Sequence, residues 1–444
     1  MKVNSDNKYP RVLIISHNPL SDTQNNGKTL SAFFKQWDFD NLAQLYLTTD
    51  IPDFSICNKF YQIHDFDILK RAFLNKSVQG RRITYSASYE MKKFKKKIKN
   101  SLFLKLARKN ITPLFQFLRD LLWNVADYKT HDLIRFVDEF NPQVVFFQSS
   151  SGLCAFSLAK WICQSRNIPL VMHTTDDYVS GLFTLDPFFW IQHIRLERAY
   201  KWAVSYSDCI VASSEKMAIE YRLRFGGNYF VAQNSIHNPH LPKYIPVNDK
   251  IQFVYAGNLG LDRWKILALI AECFEELHNE EGFSAELSTY SLVEPEKREL
   301  LLLNRPPFSY FKGALNTDEL NAVFTHSDVL VHVEAFDRKN RHITRLSTST
   351  KIPEYLASGR CIFAVGPNDV SSMQYLAGYD LGVTVMSNNK SKIKLALRDI
   401  IINSEKRIKY AEKGKIIAEV KHNADKTAES IYQIISASVT KRHI

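Results

Sequence analysis

Little in this chain supports a scaffold of cross-links or a membrane span. Its six cysteines, Cys57, Cys154, Cys163, Cys209, Cys273 and Cys361, are scattered with no C-x-x-C pair, which argues against both a disulfide framework and a zinc site. No apolar run approaches the ~18 residues of a membrane helix. The opening MKVNSDNKYPRV passes from polar residues into a strand without the apolar core of a signal peptide, so a cytoplasmic protein is expected. A true P-loop is missing as well. RVLIISHNPLSDTQNNGKTLSAFF, residues 11 to 34, offers a strand, a polar turn with Gly-Lys-Thr and a helix, but a Walker loop needs a glycine five residues before its Gly-Lys pair. Asp22 holds that place, where its charge repels a phosphate and its Cβ disfavours positive φ.

What is present is a long, well-packed chain. With 444 residues, 45% hydrophobic and 12% aromatic, it suffices for two domains with separate cores. The formal charge of +12 is unevenly spread: KKFKKKIKNSLFLKLARK, residues 92 to 109, holds nine Lys or Arg and no acid. Such a basic, partly amphipathic segment suits an anionic membrane surface. A solvated helix face or an insertion explains it equally well. Nucleic acid is not expected, because aliphatic and aromatic residues at helical spacing follow the cluster and no nucleic-acid motif appears.

Short, continuously apolar runs alternate with helical periodicity. Strands are expected at 12–16, 44–48, 143–148, 169–174, 209–213 and 229–233, then at 252–257, 285–290, 309–313, 329–334, 361–366 and 383–387. Unbroken hydrophobicity means burial on both faces, as in parallel sheets covered by helices. The chain therefore reads as α/β, with two Rossmann-like, doubly wound domains facing across a cleft. The expected boundaries are 1–240 and 241–425, with the Pro- and Asn-containing stretch 234–250 as linker and a terminal helix, 426–444, crossing back onto the first domain.

Ligands of open parallel sheets bind beyond the carboxyl ends of the strands, so residues just after strands are the candidates. In AGNLGLDRWKIL, Gly257 and Gly260 permit a tight loop, while Arg263 and Lys265 put cations near a helix start, suited to a diphosphate. Two surface cations are the plainer alternative. In STSTKIPEYLASGRCIFAVGP, residues 347 to 367, Ser349 and Thr350 sit where an N-cap belongs, Lys351 is near the first turn, and a Gly ends the helix. Such a helix start attracts anions. Glu354 there either complements the helix dipole or accepts bonds from the two hydroxyls of a ribose. In VMHTTDDYVSG, His173, Asp176 and Asp177 follow a buried strand. They serve either as catalytic groups or as a buried imidazole beside capping carboxylates.

These stretches together resemble family 4 glycosyltransferases of the GT-B fold. STSTKIPEYLASG is similar to the family's donor-binding segment, FVYAGNLGLDRWK to the opening of its nucleotide domain, and RVLIISHNPLSDTQNNGKTLS to its first strand and glycine loop. The resemblance implies that the second half binds a nucleotide-diphosphate sugar through Gly257, Asn258, Arg263, Lys265, Ser349, Thr350, Lys351 and Glu354, with Glu354 on the ribose. Gly27 and Lys28 would approach the diphosphate or transferred sugar from the first half, and His173, Asp176 and Asp177 would lie at the reacting sugar. One departure stands out: the family's other glutamate, eight positions before the ribose-binding one, is here Leu346, so Glu334 or Asp337 replaces it or the sugar is held differently. The resemblance implies retaining transfer to a hydroxyl acceptor with no cofactor; no D-x-D metal site stands out after a strand, so metal-independent transfer is expected, and the basic segment suggests a lipid-linked or surface-polysaccharide glycan as acceptor. The protein would then work in the cytoplasm, peripheral at the inner membrane face through residues 92 to 109. The competing expectations are a two-domain nucleotide-sugar epimerase and a non-catalytic nucleotide-sugar binder.

Overall fold

Runs of Val, Ile, Leu and Phe that are apolar on both faces become central strands, because only a sheet covered on two sides buries every residue. The computed structural model describes residues 9–21, 25–74, 80–86, 112–181, 184–236, 244 and 250–442. The chain divides into two compact units, residues 1–232 with 425–444, and residues 233–424.

In the first unit the strands are β1 (Val12–Ser16), β2 (Leu42–Tyr46), β3 (Phe60–Gln62), β4 (Arg81–Ile83), β5 (Val144–Gln148), β6 (Leu170–Thr174), β7 (Ser207–Ala212) and β8 (Tyr229–Val231). They form one sheet in the order β4-β3-β2-β1-β5-β6-β7-β8, parallel except for the antiparallel edge pair β3 and β4. The apolar runs expected from the sequence all appear in this sheet. The two extra edge strands are three residues long and include Gln62, Arg81 and Arg82, too short and polar to stand out as apolar runs.

The terminal helix Ala424–Arg442 belongs to this unit. Ile431 and Ile435 enter the same core as Val12, Phe33 and Trp37. Tyr432 meets the rings of Tyr9 and Trp37 edge-on, and Arg442 lies over Tyr206.

The second unit contains β9 (Ile251–Ala256), β10 (Ala285–Tyr290), β11 (Ser309–Gly313), β12 (Val329–Val333), β13 (Cys361–Val365) and β14 (Val383–Val385). Their order is β11-β10-β9-β12-β13-β14, all parallel, which is the dinucleotide-fold order 3-2-1-4-5-6.

In each sheet the strand order reverses beside the first strand, between β1 and β5 and between β9 and β12. At such a switch point the loops leave on opposite faces and open a crevice beyond the strand ends. The fold therefore marks two places where a ligand can sit. All six cysteines are buried free thiols, and among the described residues no helix is long and apolar enough to cross a membrane.

Candidate functional site

The crevice of the second unit is built around Lys351. Tyr355, in the helix Ile352–Ala357, sets its position: the buried Tyr355 hydroxyl accepts from the Ala256 amide at 3.2 Å and donates to the Ala256 carbonyl at 3.3 Å. This clamps the start of that helix to the end of β9, one turn from Lys351. The Lys351 Nζ lies 4.9 Å from the centre of the Tyr255 ring and makes no hydrogen bond or ion pair among the described residues. A Cβ on Gly257 would fall 1.4 Å from Nζ, so only glycine leaves room for the ammonium there. Burial, then Arg263, pull the Lys351 pKa down to about 8 against the attraction of Glu334 and Glu354. The amine remains mostly protonated at neutral pH.

Arg263 begins the helix Arg263–Glu281 and donates from Nε and Nη2 to Glu334 Oε2 at 3.2 and 2.9 Å. Glu334 is almost fully enclosed, and burial pushes its carboxyl up against the pull of Arg263 and Lys351. His332, also enclosed, has its Nε2 3.5 Å from Glu334 Oε1. Burial, reinforced by the two cations, holds its pKa down at about 3 and keeps the ring neutral. Arg263 and Lys351 thus share the enclosed Glu334, with Glu354 also attracting Lys351, and a bound anion would take up further positive charge there.

Several sequence expectations take a different form here. Gly257 and Gly260 lie in the loop after β9, and the left-handed positions beside them are Leu261 and Asp262, each at φ 59°. The Ser349 and Thr350 hydroxyls do not cap the helix, whose N-cap is Lys351 with no side-chain cap, because Ser349 instead opens a turn to the Ile352 amide. Asn258 accepts from the Gly260 amide at 2.7 Å and shapes the loop. Lys265 is paired with Asp262 at 2.8 Å and more than half exposed, apart from the Arg263, Glu334 and Lys351 group. Glu354 sits in the first turn of its helix, and Gly359, at φ 63°, follows that helix. Leu346 is fully buried, and Asp337 caps the helix Arg338–Thr344 through the Asn340 amide.

In the first unit the expected residues are scattered more widely. Gly27 lies in the first turn of the helix Asn25–Phe34, where a Cβ would meet the Pro19 carbonyl at 2.4 Å. Its smallness serves packing of its own loop, and Lys28 follows it in the same turn. Asp22 and the basic segment 92 to 109 fall outside the described residues. His173 is wholly buried in β6 between Phe33 and Phe146. Its Nδ1 is 3.4 Å from the Gln148 amide, its Nε2 has no hydrogen-bond partner, and burial lowers its pKa to about 3. Asp176 accepts from Thr175 and Tyr178, and Asp177 from the Ser180 amide and the Tyr221 hydroxyl.

A cavity of about 120 Å³ opens at this unit's own switch point, lined by His17 and Asn18 after β1 and by Ser149 to Gly152 after β5, with Arg119, Gln148 and Tyr178. Sequence reasoning passed over His17, Ser149 and Arg119. The first two follow strands that were recognised, so the strand-end rule carried a signal for them; Arg119 arrives from a distant helix and carried none.

The chain matches no protein-family model and no curated protein. Solved structures do resemble it. Sucrose-phosphate synthase from Thermosynechococcus elongatus is 12% identical over 97% of this chain and 99% of that one, with a TM-score of 0.63. HepE of Anabaena, solved with UDP-glucose, is 11% identical over 97% and 100%, at 0.61. The α,α-trehalose 6-phosphate synthase of Burkholderia multivorans is 10% identical over 98% of each chain, at 0.56. Identities this low speak to architecture alone: the chain has the two-domain α/β GT-B fold that these glycosyltransferases share.

Proposed function

We propose that the protein is a glycosyltransferase of the family 4 type, moving a sugar from a nucleotide-diphosphate sugar to a hydroxyl acceptor with retention and without a metal or cofactor. The observation that carries this reading is the half-buried Lys351 side chain with no ion-pair partner among the described residues, seated over Gly257 beside Arg263 at the β9/β12 switch point. A leaving diphosphate gathers negative charge as the glycosidic bond breaks, and fixed cations in a water-poor crevice stabilise that charge more than the ground state. Glu354 then takes the ribose, Glu334 stands in for the motif's missing glutamate while holding Arg263, and residues 1–240 bind the acceptor. Three of the similar structures, all of HepE, contain UDP or UDP-glucose, which supports a nucleotide sugar as donor. Calorimetry with UDP and other nucleoside diphosphates tests the reading; undiminished affinity in Lys351→Ala contradicts it.

The acceptor is a lipid-linked or surface-polysaccharide glycan, reached at an anionic membrane face through the basic segment 92–109. Support comes from the helix Pro113–Val125 that follows this segment: it exposes Leu114, Leu118, Leu121 and Val125, an apolar stripe at helical spacing. Cations next to such a stripe match an anionic bilayer. Leu118→Glu with Leu121→Glu should abolish sedimentation with phosphatidylglycerol vesicles; unchanged sedimentation refutes the membrane reading.

A second reading, a nucleotide-sugar binder without transfer, is favoured by the enclosure of His173, which keeps that imidazole from touching a substrate. Slow hydrolysis of bound donor to free sugar and nucleotide excludes it.

A further inference from the structure

The cavity beyond β1 and β5 has a chemistry of its own. Arg119 is fixed from one side only: its Nε donates to both Asp65 oxygens at 2.9 and 3.0 Å, and Trp123 Nε1 holds Asp65 Oδ1 at 2.8 Å. Its Nη1 and Nη2 make no hydrogen bond among the described residues. A Cβ on Gly152 would lie 3.3 Å from Nη1, so the guanidinium sits over the start of the fourteen-residue helix Leu153–Arg166. That helix has Gly152 as N-cap with no side-chain cap and no acid in its first turn. The Ala155 amide donates to the Gly152 carbonyl at 3.3 Å, which leaves the Leu153 and Cys154 amides and the positive end of the dipole without an internal counterpart.

Ser149 gives an independent sign of a ligand. It is only 2% exposed, it lines the cavity, and its hydroxyl has no hydrogen-bond partner. A buried hydroxyl left without a partner is destabilising, and a ligand oxygen would relieve that cost. Among the described residues no carboxylate lines the cavity. His17, exposed at the rim, has its imidazole held below its ordinary pKa by the protein packed beside the ring and then by Arg119, against Asp65 and Asp50, and an anion beside it would draw the proton back.

We infer that this cavity is a phosphoryl-binding subsite, formed by Arg119, the Ser149 hydroxyl and the first amides of the Leu153–Arg166 helix. A tetrahedral oxyanion accepts from a guanidinium fork, a hydroxyl and helix amides at once. Assigning it to the acceptor, so that the acceptor carries a phosphate or diphosphate, rests on the transfer reading above; the anion site itself does not.

The test uses full-length protein carrying Lys351→Ala, so that no phosphate probe reports the second unit's crevice. Glucose 6-phosphate, glucose and farnesyl diphosphate are titrated by calorimetry. At least one phosphorylated probe should bind while glucose does not. Binding of glucose 6-phosphate alone assigns a soluble sugar phosphate, and binding of farnesyl diphosphate alone a lipid diphosphate. Adding Arg119→Met should weaken the bound probe by at least ~10-fold and Ser149→Ala by about 3-fold. Should Arg119→Met not fold, Arg119→Lys and Ser149→Ala decide. No binding by either phosphorylated probe, equal binding of glucose, or affinity indifferent to these substitutions overturns the inference. UDP titration of the Lys351-intact protein separates the two claims: loss of UDP binding there refutes the donor site and leaves the Arg119 result standing.

Discussion

The two switch points share a topology and differ in almost everything placed on it. Beyond β9 and β12 the charge is carried by side chains in a tight crevice: Lys351 over Gly257, with Arg263 locked to Glu334. Beyond β1 and β5 there is an open cavity, one arginine steered by Asp65, an unpartnered serine hydroxyl and the start of an uncapped helix. Strand order fixes where a ligand goes; the residues after the strands decide what it is. On the proposed reading the second unit holds a leaving diphosphate, and the first a phosphoryl group bound in part by backbone.

The sharpest way to break this contrast is to remove the cation that defines the second unit. Lys351→Ala should weaken nucleoside diphosphate binding by roughly 10- to 100-fold in calorimetry, the usual effect of losing a charge-assisted hydrogen bond, while Arg119→Met leaves that affinity within about 2-fold. Next comes the glycine that admits the cation. In Gly257→Ala the new Cβ occupies the place of Lys351 Nζ, so the ammonium is displaced; overpacking of about 1–3 kcal/mol should appear as a lower Tm together with lost affinity. The corresponding change at Gly152 of the first unit meets Arg119 only at 3.3 Å. There, melting should register about 0.5–1 kcal/mol, the cost of an alanine at an N-cap.

A pH series tests what the two units share. His173 and His332 are both buried, with pKa values near 3, below the unfolded value of about 6.5. Between those values the unfolded chain takes up a proton that the native state refuses, so stability falls as pH drops below 6.5. Each histidine should contribute about 2 kcal/mol of loss at pH 5, and His173→Gln should remove its share from the unfolding curve. Lys351 acts at the other end of the scale. As pH rises through about 8 the amine loses its proton, so diphosphate affinity should fall by up to about 10-fold between pH 7 and 9, a trend absent from Lys351→Ala.

The sequence made the second unit's site more legible than the first's because its parts lie in two short stretches. Lys351, Tyr355 and Gly359 follow one another on a single turn and helix, and Gly257 and Arg263 lie six residues apart, so local spacing carried the pattern. Spacing could not show that Tyr355 clamps Ala256, that Gly257 exists to clear Lys351, or that Lys265 turns away to Asp262. The first unit's cavity is lined by His17, Arg119 and Ser149, with Asp65 behind the arginine, four segments brought together only by folding. The parallel strands were legible through continuous apolar runs, whereas β3 and β4 were hidden by their polar residues.

The central claim is that the nucleotide diphosphate belongs to the β9/β12 crevice. A crystal structure of the protein soaked with UDP tests it most directly. The account predicts the diphosphate within hydrogen-bond reach of Lys351 Nζ, close to Arg263 and the Gly257 backbone. A diphosphate lodged instead against Arg119 and Ser149, with the Lys351 crevice unoccupied, would contradict it.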